Sequence, residues 1–119
     1  MLLAARDGIV ALSLREILAL TPERFAAEFR GTAIKRLKLA GLLRNACIVA
    51  GNSGNTTLLP ELVALAASHP LPLVRAHAVW AVHRLGGAAR LAEVRAAEAD
   101  PTVQAEYAAE QAQGTAAAG

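Results

Sequence analysis

The chain has 119 residues, enough for one domain with a modest core, and its 29 alanines and scarcity of aromatic or β-branched runs predict an all-α fold. Its most apolar stretch, residues 62–74, is interrupted by a serine, a histidine and two prolines, so it falls short of the roughly 20 apolar residues that span a membrane. The net charge is only +2, and the single cysteine, Cys47, excludes an internal disulfide and favours a cytoplasmic location.

Helix signals begin at Ser13. Ser13–Glu16 has the pattern of a capping box, in which serine and glutamate side chains satisfy free backbone donors. Thr21–Glu23 is a second helix start, with a capping residue, a proline and an acid in suitable positions. This helix should end at Gly31, where Thr32 can cap the next one. The elements then predicted are helices over 33–40 and 42–50, separated by a break or kink at Gly41, and a loop over 51–55.

The second half of the chain contains the clearest helix. Thr57 is the predicted cap of a helix ending near Ala67, and the prolines of 68–72 make a connector. Pro72 opens the next helix, whose apolar residues recur on one stripe: Val74, Ala78, Ala81, Val82 and Leu85. Two glycines end it, and two more helices are predicted over 88–99 and 101–112.

These helices contain an internal repeat. Three similar segments are spaced by 31 and 29 residues, and each is expected to open the second helix of a hairpin: Leu43-Arg44 with Cys47, Val74-Arg75 with Ala78, and Val103-Gln104 with Tyr107. Paired helices with a period near 30 are typical of an α-solenoid, and the middle segment matches a HEAT-like repeat. We therefore predict an α–α superhelix of HEAT-like (PBS-lyase-type) hairpins over 13–112, after a lead-in at 1–12 and before a disordered tail at 113–119. For Arg75 we favour a structural ion pair with an acid of a neighbouring turn.

Catalytic motifs are absent from the sequence, which has no nucleophile elbow, no HExxH and no glycine-rich phosphate loop. His77 and His83 are six residues apart on one helix, so they face different directions and are not expected to share a metal. These two and His69 are expected at solvated or core-edge positions, and Cys47 as a small buried hydrophobe. The acids of the last two helices are interpreted as a solvated face. No catalytic residue and no metal site are predicted.

Basic residues are concentrated in the first half of the chain. Residues 1–50 carry eight Lys/Arg and four Asp/Glu, whereas residues 51–119 carry four and six. Asn45 and Asn52 are seven residues apart, so they would lie on one face if the helix runs that far. The predicted RNA-binding strip, suited to phosphate oxygens and base edges, consists of Lys35, Arg36, Lys38, Arg44, Asn45 and Asn52. The alternative is a solvated helix face whose asparagines bond to neighbouring backbone.

Several segments carry a family resemblance in their order: Ser13–Phe25, Phe29–Arg36, Gly41–Ala46, Gly51-Asn52, and Val74-Arg75 followed by His77–Ala81. The most specific piece is Ile34-Lys35-Arg36 followed by Arg44-Asn45 and Gly51-Asn52. Over roughly residues 13–108 the chain resembles the C-terminal part of tRNA epoxyqueuosine reductase, the last enzyme of queuosine synthesis.

The resemblance implies a cytoplasmic, monomeric parent enzyme that uses cobalamin and two 4Fe–4S clusters to reduce an epoxide on the tRNA wobble base. The cysteine runs that hold such clusters are missing from this sequence, so no cofactor is expected in this chain itself. The implied partners are tRNA, contacted by the predicted strip, and the catalytic domain of the parent enzyme. Trp80 is expected in the core. The alternative is a stand-alone HEAT-like scaffold that binds proteins through its concave face.

Overall fold

The computed structural model describes residues 13–28 and 36–118. Within these ranges all regular structure is helical, which confirms the predicted all-α class for the described part of the chain. The α-helices are α1 (Leu14–Leu18), α2 (Pro22–Glu28), α3 (Arg36–Ser53), α4 (Leu59–Ser68), α5 (Pro72–Arg84), α6 (Ala92–Ala97) and α7 (Pro101–Ala118), with 3₁₀ turns at Thr56–Leu58 and Ala88–Leu91. No helix in the described ranges is long and apolar enough to cross a membrane.

The first two helices start as the sequence predicts. Ser13 Oγ accepts a hydrogen bond from the Glu16 N–H at 3.1 Å, and Glu16 Oε1 accepts one from the Ser13 N–H at 3.0 Å. Thr21 Oγ1 accepts from the Arg24 N–H at 3.1 Å. Both caps satisfy donors that lack an intrahelical partner, so these predictions are confirmed. The predicted stop at Gly31 and cap at Thr32 lie outside the described residues.

Helix α3 is one continuous helix, so the predicted break at Gly41 is wrong. Glycine costs about 1 kcal/mol in a helix interior, and this cost is offset because α3 buries one face along its length, including Leu39, Leu43 and Ala50. The helix also continues through Ser53, so the predicted loop over 51–55 is wrong in its first three residues. The turn comes at Gly54, whose φ of +73° favours glycine.

The later helix boundaries differ from the prediction at two places. Thr57 was predicted to cap the helix that follows α3, but the capping residue is Asn55. Asn55 Oδ1 accepts a hydrogen bond from the Thr57 N–H at 3.0 Å and so caps the 3₁₀ turn Thr56–Leu58. Helix α7 continues to Ala118, beyond the predicted end at Ala112, so its backbone is helical where a disordered tail was expected. Alanine and glutamine dominate this last segment and are strong helix formers. The predicted lead-in at 1–12 lies outside the described residues.

Helix α5 is the centre of the domain and packs against α3, α4 and α7. Its predicted apolar stripe is buried, which confirms that assignment: Val74, Ala78, Ala81, Val82 and Leu85. The apolar positions of the internal repeat are also at most 2% exposed: Leu43 with Cys47, Val74 with Ala78, and Val103 with Tyr107. The first segment lies in the middle of α3, however, so the prediction that it opens a helix is wrong.

The hairpins α4–α5 and α6–α7 are joined by equivalent hydrogen bonds. Arg75 Nη1 donates to the carbonyl of His69, the C-cap of α4, at 2.7 Å. Twenty-nine residues later, Gln104 Nε2 donates to the carbonyl of Glu98, the C-cap of α6, also at 2.7 Å. Each bond satisfies a carbonyl that a helix end leaves free. The two hairpins therefore repeat one local geometry, although the side chain that provides it differs.

Candidate nucleic-acid interface

The structure describes half of the predicted RNA-binding strip in side-chain detail. Lys35 lies outside the described residues, and the backbones of Arg36 and Lys38 lie in the first turn of α3. Arg44 is half-buried about two turns further on, while Asn45 and Asn52 are exposed.

Asn45 and Asn52 share one face of α3. They were predicted to share a face only if one helix runs through both residues, and α3 does so because it spans Arg36–Ser53. Because seven residues make about two turns, the two carboxamides lie above one another, with Ile48 between them at 38% exposure. This part of α3 therefore presents an exposed stripe that is polar at both ends and apolar between them.

Arg84 of α5 extends this stripe. Its Nη2 donates to Asn52 Oδ1 at 3.0 Å, and its guanidinium carbon lies 5.6 Å from the centroid of the Trp80 ring. Among the described residues no carboxylate forms an ion pair with Arg84. The side chain is exposed yet held by an amide and an aromatic ring, so its charge stays available to an anion.

Gly51 explains how α3 and α5 bring these side chains together. A Cβ atom at position 51 would lie 2.7 Å from Cζ3 of Trp80 and 3.2 Å from Cα of Ala81. Only a glycine allows this approach without a shift of the neighbouring ring. The next residue, Asn52, is thereby placed against Arg84 on α5.

A groove of about 340 Å³ lies beside this contact, between α3, α5 and α7. We call it the Trp80 groove, and its lining residues are Ile48, Asn52, Ala76, His77, Trp80 and Glu106. Trp80 packs against the core as predicted but is only half-buried and forms part of this wall. His77 Nδ1 lies 2.9 Å from the carbonyl oxygen of Leu73. Because that oxygen can only accept, Nδ1 carries a proton and donates it, which leaves Nε2 as the ring nitrogen free to meet another group.

The carboxyl group of Glu106 lines the α7 side of the groove. Burial raises the pKa of Glu106 to about 7, as do a hydrogen bond that its protonated carboxyl donates to Glu110 and the negative charge of Glu110, while positive charge on His77 and His83 acts to lower it. Glu110 is 9% exposed, and the Glu98 side chain is 5% exposed. The prediction that the late acids form a solvated face is therefore wrong for these two residues, because α7 and α6 fold them against α5.

Cys47 is a buried structural residue. Burial raises the pKa of the Cys47 thiol to about 12, which makes it unreactive and confirms its assignment as a buried hydrophobe. Within the described ranges no group of three or more His, Cys, Asp or Glu side chains is arranged to hold a metal ion.

Sequence reasoning missed Arg84 and Glu106 as members of this surface. Both were treated as parts of ordinary helices, since neither stands in a motif. The repeat offers a signal for Arg84: the 31-residue offset from Leu43 to Val74, applied to Asn52, ends at His83, beside Arg84. No comparable signal exists for Glu106, whose surroundings depend on the packing of α7 on α5.

Comparison with known proteins identifies no relative of this chain. No protein-family model, no curated protein and no solved structure matches the chain.

Proposed function

We propose that this chain is the tRNA-recognising, C-terminal helical domain of an epoxyqueuosine reductase whose cobalamin and iron–sulfur chemistry resides in another domain. In this proposal the domain is a superhelix of HEAT-like hairpins, cytoplasmic and monomeric, and it holds the tRNA while the catalytic domain reduces the wobble base. The observation that carries the proposal is the surface on which Arg84 extends the asparagine stripe of α3. The residues proposed to contact RNA, which we call the basic strip, are the six predicted from the sequence and Arg84; of these, the structure describes the side chains of Arg44, Asn45, Asn52 and Arg84.

The contacts of the basic strip support RNA as its ligand. Arginine guanidinium and asparagine carboxamide groups are the side chains that contact phosphate oxygens and base edges. Arg84 is already oriented by Asn52 and has no acidic partner in the described ranges, so an RNA phosphate would not have to displace a carboxylate. The basic residues at the start of α3 would add a sequence-independent attraction.

The equivalent hairpins support the HEAT-like part of the proposal. Arg75 and Gln104 make matching bonds 29 residues apart, as expected where each repeat packs only on its neighbours. Successive second helices of such a stack line one face, and α3, α5 and α7 are the helices that line the Trp80 groove.

A second candidate function is a protein-interaction scaffold. It is favoured by the exposed apolar side chains on the surface, which are Ile48, Val49, Leu71 and Leu73 at 38% to 46% exposure. Ile48 and Val49 lie on α3, whereas Leu71 and Leu73 lie near the start of α5. Recovery of a stoichiometric protein partner without RNA would favour this function.

The decisive experiment is tRNA binding by the whole chain as a function of salt. If about four phosphates are neutralised, the slope of log affinity against log salt should be roughly −3 to −4. Replacement of Lys35, Arg36 and Lys38 together by glutamate should abolish binding. Arg90→Glu is the control for charge reversal outside the basic strip, because Arg90 is an exposed arginine on the 3₁₀ turn Ala88–Leu91. Unchanged affinity in the triple variant would contradict the proposal.

A further inference from the structure

We propose that the Trp80 groove binds one unpaired nucleobase of the RNA, stacked against the indole of Trp80, with the phosphate of that nucleotide on Arg84. This inference rests on the proposed function, since it adds a base-binding site to the phosphate-binding basic strip. In this proposal the groove binds single-stranded RNA and not an RNA duplex.

The size and lining of the groove fit one planar ring system. Its volume of about 340 Å³ is at the small end of ligand sites, which are mostly apolar with a few convergent polar groups. Ile48, Ala76 and Trp80 provide the apolar walls. Stacking of bases on aromatic side chains is the common device of proteins that bind single strands, and it works for every base because each has a π-face.

The polar groups at the groove can satisfy the edge of a base. Asn52 Oδ1 is occupied by Arg84, so its amide N–H groups remain as donors. His77 Nε2 is the ring nitrogen left for a partner, because Nδ1 is turned to the Leu73 carbonyl. The Glu106 carboxyl, with a pKa of about 7, can donate or accept near neutrality. A base bound here would leave few of its donors and acceptors without a partner.

The positive charge of Arg84, beside Trp80, favours a nucleotide over a peptide that carries basic residues. Arg84 stands at the Trp80 ring without an acidic partner in the described ranges. A lysine or arginine of a protein ligand would meet this charge, whereas a phosphate would be attracted to it. Because burial and the neighbouring Glu110 raise the pKa of Glu106 to about 7, the Glu106 carboxyl in the groove wall repels a phosphate less than a fully ionised carboxylate would.

The test uses Trp80 fluorescence, since Trp80 is the only tryptophan of the chain. The full chain is titrated at low salt with three labelled probes: a single-stranded RNA 12-mer, an abasic ribose-phosphate 12-mer, and a blunt RNA duplex. Label anisotropy reports binding, and Trp80 emission reports occupation of the groove. We expect all three to bind, but only the single-stranded RNA to quench Trp80 emission.

A variant that narrows the groove tests the same site by affinity. Ala76→Leu should weaken single-stranded RNA binding by about 5- to 100-fold, the range that one stacked base supplies, with little change for the abasic probe. Ala108→Leu on the exposed surface of α7 is the matched control and should bind as wild type. If Ala76→Leu fails to fold, the fluorescence titration of the wild-type chain decides alone.

The outcomes separate this inference from the proposed function. RNA binding with unchanged Trp80 emission would overturn the base site and leave the RNA-binding function standing. Equal quenching by the abasic probe would also overturn it, because no base would then be needed. Absence of binding to every RNA probe would overturn both. Quenching by an apolar peptide and not by RNA would assign the groove to a protein ligand instead.

Discussion

The two ends of helix α5 carry arginines with opposite surroundings. Arg75, at the first turn, is bidentate with the Glu98 carboxylate at 2.9 and 3.1 Å, and the two side chains are 16% and 5% exposed. Arg84, at the last residue, is exposed and held by Asn52 and Trp80, with no carboxylate partner in the described ranges. The same residue type is therefore structural where α6 supplies an acid, and available to a ligand where α3 supplies an amide.

The largest expected effect is loss of the buried ion pair. Arg75→Ala should lower the free energy of unfolding by about 2–3 kcal/mol, because it leaves the Glu98 carboxylate buried without its partner and the His69 carbonyl without its donor. Urea denaturation measures this loss. Arg75→Lys keeps the charge but not the bidentate geometry and should be intermediate. A variant as stable as wild type would show that the pair has no structural role.

A smaller effect on stability is expected at Gly51, which lies against Trp80 near the C-terminal end of α5. Gly51→Ala should lower the free energy of unfolding by about 1–2 kcal/mol, because the new methyl group would lie within 2.7 Å of Trp80. Gly41→Ala in the same helix is the matched control: its methyl group meets nothing within 4 Å, so a gain of up to about 1 kcal/mol is expected. Equal effects of the two variants in thermal unfolding would refute the close approach.

The Arg75 end of α5 should also depend on pH. Hydrogen bonds from Arg75 hold the pKa of Glu98 below its ordinary value of 4.5. A lowered folded-state pKa stabilises the protein above pH 4.5, and this contribution is lost as the pH falls through the folded-state value. The stability difference between wild type and Arg75→Ala should therefore shrink between pH 6 and pH 3. Urea titrations at several pH values would reveal it, and a constant difference would argue against an ionised pair.

The smallest effect on stability is expected for Arg84→Ala. Because Arg84 is exposed and lacks an ion pair in the described ranges, the free energy of unfolding should change by less than about 0.5 kcal/mol. The same substitution should make the salt slope of RNA binding less steep by about 1, as one phosphate contact is removed. A large loss of stability would show instead that Arg84 resembles Arg75 in its role.

Local sequence was sufficient for features that depend on a few neighbouring residues. The capping box at Ser13, the cap at Thr21 and the stripe of α5 were all predicted correctly, and so was the ion pair of Arg75, although not its partner Glu98. Helix α3 was predicted wrongly because Gly41 and the residues after Ala50 are local signals for breaks. Burial of its apolar face against α1 and α5 outweighs those signals. The RNA-binding assignment of Lys35, Arg36 and Lys38 stays a prediction.

By itself, the sequence determined that the chain is helical, where several helices begin, and which positions are apolar in each repeat, because caps and stripes act within one or two turns. The tertiary structure decided that Arg75 is buried against Glu98, that the exposed Arg84 meets Asn52, and that Trp80 and Glu106 line a common groove. Those properties depend on which side chain of a neighbouring helix packs against the residue. Only helix packing brings residues that are distant in sequence within hydrogen-bonding distance.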